Sequence, residues 1–353
     1  MPKISLIMPV YNASETLDYS VKSVLNQDFK DFEFIAVDDG SKDDSLEKLD
    51  ILLKNSKIDY RIYHKENEGP AFARRYGLDK SEGDLIGFID SDDKIDFDYL
   101  SGMYQTLKET KTNICSSRVA MHFNNPLIRN IAFKNRKRNI RYDAYRDQKI
   151  VPIMNVITNG KLFRREYIDL TDRDFKANVD LSINYLLYAK ARKISFANNT
   201  CYHYIPNDKG LVSTKIVGHE WSKIKNTLLP LSELRENFRK EGFLDDYYEE
   251  VEQIFMKNIF QRVEYIKNNI KDGKVKTEMI NTLYDFITYH FSTWKDNRYY
   301  LSHFKDFEIP DIISCIKNEP LVHGYVKTEY DEEEEIFDKY YELSKKAKII
   351  TKN

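Results

Sequence analysis

Short apolar runs and amphipathic stretches alternate through the first part of the chain. Residues 3–10 (Lys-Ile-Ser-Leu-Ile-Met-Pro-Val) form an apolar run that ends at Pro9 and a Tyr11-Asn12 loop, the pattern of a buried strand. Leu17, Val21, Val24 and Leu25 then repeat at helical spacing, with Ser14 placed as an N-cap and the helix expected to run to Gln27. Residues 32–37 read as a second strand, ending in Asp38-Asp39-Gly40-Ser41, and Leu46, Leu49, Leu52 and Leu53 mark a second helix behind Ser41 and Asp44. Tyr60–His64 is a third strand. Asn67-Glu68-Gly69-Pro70 turns the chain into a helix from Ala71 to Lys80, and Leu85–Ile89 is a fourth strand.

Four strand–helix alternations within the first 93 residues predict an α/β fold, Rossmann-like, with a mostly parallel sheet flanked by helices. Ligands of such sheets bind beyond the carboxyl ends of the strands. The polar tips fall there: Pro9-Tyr11-Asn12, Asp38-Asp39, Asn67 and Asp90-Ser91-Asp92-Asp93. Three carboxylates within four residues form a concentrated negative charge that is costly without a cation. A hard divalent ion bound through oxygen, Mn2+ or Mg2+, carrying a phosphorylated substrate fits that need.

Past residue 97 the alternation fades. Tyr99–Glu109 reads as a helix and Asn113–Val119 as a strand. A basic stretch, residues 129–149, reads either as a solvated loop or as a site for an anionic acceptor. Asn159–Arg164 returns to the core, a helix follows over Val179–Ala191 and a strand over Lys193–Ala197. From residue 216 strand signals vanish, and apolar spacing predicts helices in 220–240, 245–270, 275–294 and 331–348. The expected domains are therefore 1–215, catalytic, and 216–353, helical and suited to oligomerisation or acceptor binding.

Composition narrows the function classes. Among 353 residues, 55 basic against 57 acidic side chains leave a net charge of −2, which gives no drive toward nucleic acid. Cys115, Cys201 and Cys315 are too few and too scattered for a disulfide framework or a zinc site. The N-terminal run is too short for a signal peptide, and no apolar run reaches the ~20 residues that span a bilayer. The expected location is the cytoplasm, with any membrane contact made from the inner face.

In their order and spacing, Ser5–Asn12, Ser23-Val24-Leu25-Asn26-Gln27, Asp38-Asp39-Gly40-Ser41, Asn67-Glu68-Gly69 with Ala73-Arg74 and Gly77, and Asp90-Ser91-Asp92-Asp93 resemble family 2 glycosyltransferases of the GT-A fold. The nearest likeness is to bacterial enzymes that decorate wall teichoic acid or build surface polysaccharides. The resemblance covers the first 205 residues or so. It implies a UDP-sugar donor and a glycan, teichoic-acid or lipid-linked acceptor. Pro9 and Tyr11 would line the base pocket, Asp39 would accept the uracil imide N–H, and Asn67 and Arg74 would contact the nucleotide. Asp90 and Ser91 would meet the donor, with Asp90 on the ribose or the metal, and Asp92 would coordinate the metal. An inverting transfer needs a carboxylate base, which the family supplies from a Glu-Asp pair at a helix start. Here Val179 stands for the first acid and Asp180 for the second, so Asp180 is the expected base. Its alternative role is that of helix cap. His203, between two tyrosines, is either a packed strand residue or a metal ligand. Two other classes stay open. A nucleotidyltransferase would carry a glycine-rich N-terminal loop, which residues 1–20 lack. A catalytically impaired relative that binds sugar nucleotides or glycans would account for Val179.

Overall fold

The computed structural model of the chain describes residues 2–122, 140–146, 148, 150–154, 156–168, 179–206, 220–298 and 300. Most of the basic stretch, the acidic residues Asp172 and Asp174, and the expected helix at 331–348 lie outside these. The fold divides into two units. The first comprises Met1–Asp143, Ile157–Lys176 and Lys190–Asn207, and the second Ala144–Val156, Ala177–Ala189 and Asp208–Asn353. The division therefore does not fall at one point near residue 215: two earlier segments group with the helical part.

In the first unit β1 (Ile4–Val10), α1 (Leu17–Leu25), β2 (Phe32–Asp39), α2 (Ser45–Leu53), β3 (Asp59–Lys65), α3 (Pro70–Asp79) and β4 (Leu85–Phe88) follow one another as the apolar pattern predicts. Then come β5 (Lys94–Ile95), α4 (Tyr99–Thr110), β6 (Ile114–Met121), β7 (Ile140–Asp143), β8 (Lys161–Arg164) and β9 (Lys193–Tyr204). The strands join in the order β3-β2-β1-β4-β8-β6-β9-β5, with β7 on β9. The first four are mutually parallel. β8 enters antiparallel between β4 and β6, and β6 and β9 are again parallel. The sheet is thus mixed. Because β8 runs in reverse, its leading turn lies at the same edge as the carboxyl ends of β1, β2, β4, β6 and β9.

Every residue of β1 and β2 is buried, as a central strand covered on both faces requires. Helix α1 begins at Leu17 behind Thr16, later than expected. Ser14 is not its cap: the Ser14 N–H donates to the Asp43 carboxylate, and its carbonyl accepts from Lys48. Close packing sets α3 on the sheet, since a Cβ at Gly77 would collide with Ile7 Cγ2.

The second unit includes α5 (Ile150–Ile153), α6 (Val179–Ala191, whose last two residues group with the first unit), α7 (Glu220–Lys240), α8 (Tyr248–Asn269) and α9 (Gly273–His290). Leu231, Leu234, Phe238, Val251, Phe255, Ile259, Phe260, Leu283 and Ile287 are buried between the last three helices. Phe255 stacks on Phe286 with ring centroids 5.7 Å apart. No described helix is long and apolar enough to cross a membrane.

The start of α8 is clasped by the chain after α9. Asn297 Nδ2 donates to the Glu249 carbonyl at 2.9 Å and to Glu252 Oε2 at 2.6 Å, and Arg298 pairs with Glu249 and Glu250. Glu252 is 2% exposed and its carboxyl is pushed up to about 7. Burial is the main cause; the Asn297 amide opposes it, and Glu249 and Asp296 add to it. Between its ordinary value of 4.5 and about 7 the folded chain therefore holds a proton that the unfolded chain has lost. Stability falls as pH rises through that window. Glu252→Gln removes the titration. Thermal unfolding measured from about pH 5 to 8 should show the variant gaining on the unaltered protein, by on the order of 2 kcal/mol at the alkaline end. Parallel curves would remove Glu252 from this role.

Candidate active site

The site is built on the carboxyl edge of the first unit. β1 ends in buried Pro9 and Val10, and Tyr11 follows with 47% of its surface exposed. Asn12 (φ 48°) ties this tip to the next: its N–H donates to Ser41 Oγ at 3.0 Å, and its Oδ1 accepts from the Lys42 N–H at 2.8 Å. At the end of β2, Gly40 takes φ +71°, and a Cβ there would stand 2.9 Å from the Asn67 nitrogen. Glycine is what lets the loop after β3 close over Asp39.

Asp39 is 2% exposed and accepts from Gly69 N–H at 2.7 Å, Glu68 N–H at 3.1 Å and Lys65 Nζ at 2.8 Å. Two of these donors are backbone groups leading into α3, where a carboxylate complements the helix N-terminus. Asn67 Nδ2 donates to the Asp39 carbonyl at 2.9 Å. Burial alone would lower the Lys65 ammonium, but its bonds to Asp39 and Glu68 outweigh burial and raise it. An incoming N–H would share the Asp39 oxygens with these donors. Of these donors only the lysine sits on a long side chain that could move aside; the backbone groups are fixed by the turn into α3. Asp38 is fully buried and its Oδ2 meets His64 Nδ1 at 2.6 Å.

Beyond β4, Asp90, Asp92 and Asp93 bring one carboxylate oxygen each within 4.8 Å of one another. Asp90 Oδ1 accepts from Arg74 Nη2 at 2.6 Å and Oδ2 from Asn159 Nδ2 at 2.6 Å. Ser91 and Asp92 are half-buried, and the Asp92 carbonyl accepts from Tyr19 Oη at 2.8 Å. Burial, then Asp92 and Asp93, push the Tyr19 phenol up to about 12. Asp93 is fully buried. It accepts from Tyr202 Oη at 2.5 Å and the Ile205 N–H at 2.8 Å, while Tyr202 Oη accepts from the Asp90 N–H at 3.2 Å. Desolvation, followed by the charges of Asp90 and Asp92, holds the Asp93 carboxyl well above the usual carboxylate range. This is a place where a cation would be taken up, and its oxygen-only donors suit Mn2+ or Mg2+.

The structure therefore brings Pro9, Tyr11, Asp39, Asn67, Arg74, Asp90, Ser91 and Asp92 to one edge of one unit. Asp180 is a residue of the second unit, in the first turn of α6; its carbonyl accepts from Asn184 Nδ2 at 3.0 Å. His203 is not grouped with the three aspartates. Its Nε2 meets Asp96 Oδ1 at 2.7 Å and its Nδ1 meets His122 Nε2 at 2.8 Å.

Several supporting residues escape sequence reasoning. Asn159 and Tyr202 lie 69 and 112 residues from Asp90 in sequence. Gln27 was visible only as part of a motif. It is buried, and it donates to the Asp96 carbonyl at 2.7 Å and accepts from the Leu100 N–H at 3.0 Å. It thereby fixes the chain that leaves the aspartates.

The chain is similar to known glycosyltransferases. Residues 5–170 match the model of glycosyl transferase family 2. An uncharacterized glycosyltransferase of Haemophilus influenzae is 46% identical over 100 residues, which are 28% of this chain and 40% of that protein. A cholesterol galactosyltransferase of Borreliella burgdorferi is 29% identical over 308 residues, covering 80% of this chain and 82% of its own length. The crystal structure of Staphylococcus aureus TarS 1-349 in complex with UDP-GlcNAc superposes with a TM-score of 0.63 at 19% identity, over 91% of this chain and 90% of that one. At that identity the likeness speaks for the fold. Residues 5–170, just under half of the chain, thus match glycosyl transferase family 2, and the sheet is of the GT-A type.

Proposed function

We propose that the protein is an inverting glycosyltransferase that moves a hexosyl or N-acetylhexosaminyl group from a UDP-sugar to a hydroxyl of a cell-surface glycan, teichoic-acid-type or lipid-linked acceptor. The observation that carries the reading is the aspartate group after β4, with the Arg74 guanidinium held against it on the edge where a nucleotide would lie.

Pro9 and Tyr11 give the base an apolar surface, and Asp39 takes its imide N–H as Lys65 yields. Asn67 and Asp90 meet the ribose, Ser91 lies between the two aspartates, and Arg74 turns toward the diphosphate. Asp92, with Asp90 beside it, would hold a Mn2+ or Mg2+ ion, which when bound neutralises charge on the departing diphosphate. The acceptor hydroxyl gives its proton to the Asp180 carboxylate as its oxygen bonds to the anomeric carbon. The bond from that carbon to the diphosphate oxygen breaks, and its electron pair leaves with UDP. Attack from the opposite face inverts the centre. Residues 216–353 are assigned to acceptor binding or self-association. The assigned location is the cytoplasm, with any membrane contact made from the inner face.

The test uses the full chain. UDP with Mn2+ should raise the melting temperature, and a UDP-sugar should be hydrolysed slowly to free UDP. Asp92→Asn should lower that release by about a hundredfold or more. Release by this variant at the unaltered rate would remove Asp92 from the site.

Asp180→Ala separates the base from the binding site. It should keep UDP affinity within about threefold while transfer to acceptor falls about 10²- to 10⁴-fold. Full transfer by this variant would discard Asp180 as the base. Binding of UDP without any turnover by the unaltered protein would favour an impaired, binding-only relative, consistent with Val179 at the first acidic position.

A further inference from the structure

The turn that leads into β8 has no assigned part in the reaction, yet it ends on Asp90. Asn159 is 3% exposed, and its Nδ2 donates to Asp90 Oδ2 at 2.6 Å. The amide can face only one way. Reversed, its Oδ1 would stand against a carboxylate oxygen, acceptor to acceptor. In the observed orientation Asn159 Oδ1 is buried with no hydrogen-bond partner among the described residues. A buried amide that leaves one group unsatisfied in order to donate with the other incurs a real cost.

The rest of the turn holds that amide in place. Gly160 adopts φ +75°, which a side chain would strain, and its carbonyl accepts from Ser117 twice, from N–H at 2.8 Å and from Oγ at 3.1 Å. Lys161 is fully buried, a rare setting for a lysine, and its Nζ donates to the Ile157 carbonyl across the same turn. A glycine, a serine pair of bonds and a buried ammonium therefore fix five residues, Ile157–Lys161, around one side chain.

We infer that Asn159 is a positioning residue for Asp90, and that it holds the carboxylate in place while Arg74 changes partners. The inference rests on the donor-site reading above. Without ligand, Asp90 has one oxygen on Arg74 and the other on Asn159. A guanidinium that turns to a diphosphate gives up its bond to Asp90. The carboxylate would then be free to rotate among its neighbours Asp92 and Asp93. The neutral Asn159 donor has no charge to be drawn to the phosphates, so it stays and keeps Asp90 oriented toward the nucleotide. A donor is needed here without added charge, and Asn supplies that where Lys or Arg would not.

The inference is tested by a double-mutant cycle read by calorimetric titration of UDP, with and without Mn2+, into the full chain. Asn159→Leu keeps the volume and removes the donor. It should weaken UDP binding about tenfold in the presence of Mn2+. In an Asp90→Asn background the same substitution should change affinity by less than about twofold, because its effect runs through the carboxylate. Asn159→Asp puts a like charge beside Asp90, should weaken UDP binding further than Asn159→Leu, and carries the test if the leucine variant does not fold. An unchanged affinity in Asn159→Leu, or an equal loss in both backgrounds, would overturn the inference while leaving the donor site standing. If the unaltered protein binds neither UDP nor another nucleoside diphosphate, the donor-site reading fails and takes the inference with it.

Discussion

Three carboxylates with oxygens within 4.8 Å of one another are the constraint on which this unit depends. Left bare, such a group would force its strand end apart or take up protons. The chain answers in three ways. Arg74 from α3 brings a positive charge, Asn159 and Tyr202 bring neutral donors from the turn before β8 and from β9, and Asp93 is pushed toward its neutral form by burial. Asn159 and Tyr202 lie 69 and 112 residues from Asp90 in sequence. The long-range order β4-β8-β6-β9 is what assembles them.

That order also marks what the sequence could and could not convey. The first four strands and three helices follow from local apolar spacing, because β1, β2 and β4 are buried on both faces, β3 is partly covered at the sheet edge, and each helix buries one face. Their polar tips could be placed at one edge on topology alone. The insertion of β8 could not, since four residues with a reversed direction leave no periodic signal. With β8 hidden, Asn159–Arg164 reads only as a return to the core, and neither the partner of Asn159 nor the burial of Lys161 can be read from it. The cap of α1 was misplaced for a related reason. Ser14 has a capping side chain, but its backbone instead donates to Asp43 and accepts from Lys48, which ties it to the start of α2. Tertiary contacts overrode a local preference.

The division into units separates the proposed base from the proposed donor site. The residues of the carboxyl edge belong to the sheet unit, whereas Asp180 groups with helices drawn from three separate stretches of chain. A boundary placed near residue 215 assigned α6 wholly to the sheet because it lies between two of its strands in sequence. In space most of α6 is a helical-unit element: Asn237 bonds to the Ser182 carbonyl, and Asn184 to that of Val156. Sequence adjacency is a weak guide wherever a chain leaves a sheet and returns.

The opposite edge of the same sheet shows what a purely structural carboxylate looks like. Glu33 at the amino end of β2 is fully buried, and it accepts from Ser5 Oγ at 2.5 Å, Glu82 N–H at 2.6 Å and Gly83 N–H at 3.2 Å, with Arg61 paired to its other oxygen. A single buried acid there is surrounded by donors, and Arg61 also pairs with the exposed carboxylate of Glu82 at 3.2 Å. The packing is tight enough that a Cβ on Gly83 would come within 2.6 Å of the Ser5 nitrogen. At the carboxyl edge the balance is reversed: three acids face one guanidinium and a few neutral donors, and two of the acids remain half-exposed. Both edges are made by the same strands and the same backbone, so strand geometry does not account for the difference. Folding alone would favour the first arrangement, in which every charge is matched within the chain. The second keeps an electrostatic deficit open to solvent, and a bound cation with a diphosphate is a ligand whose charges can close it.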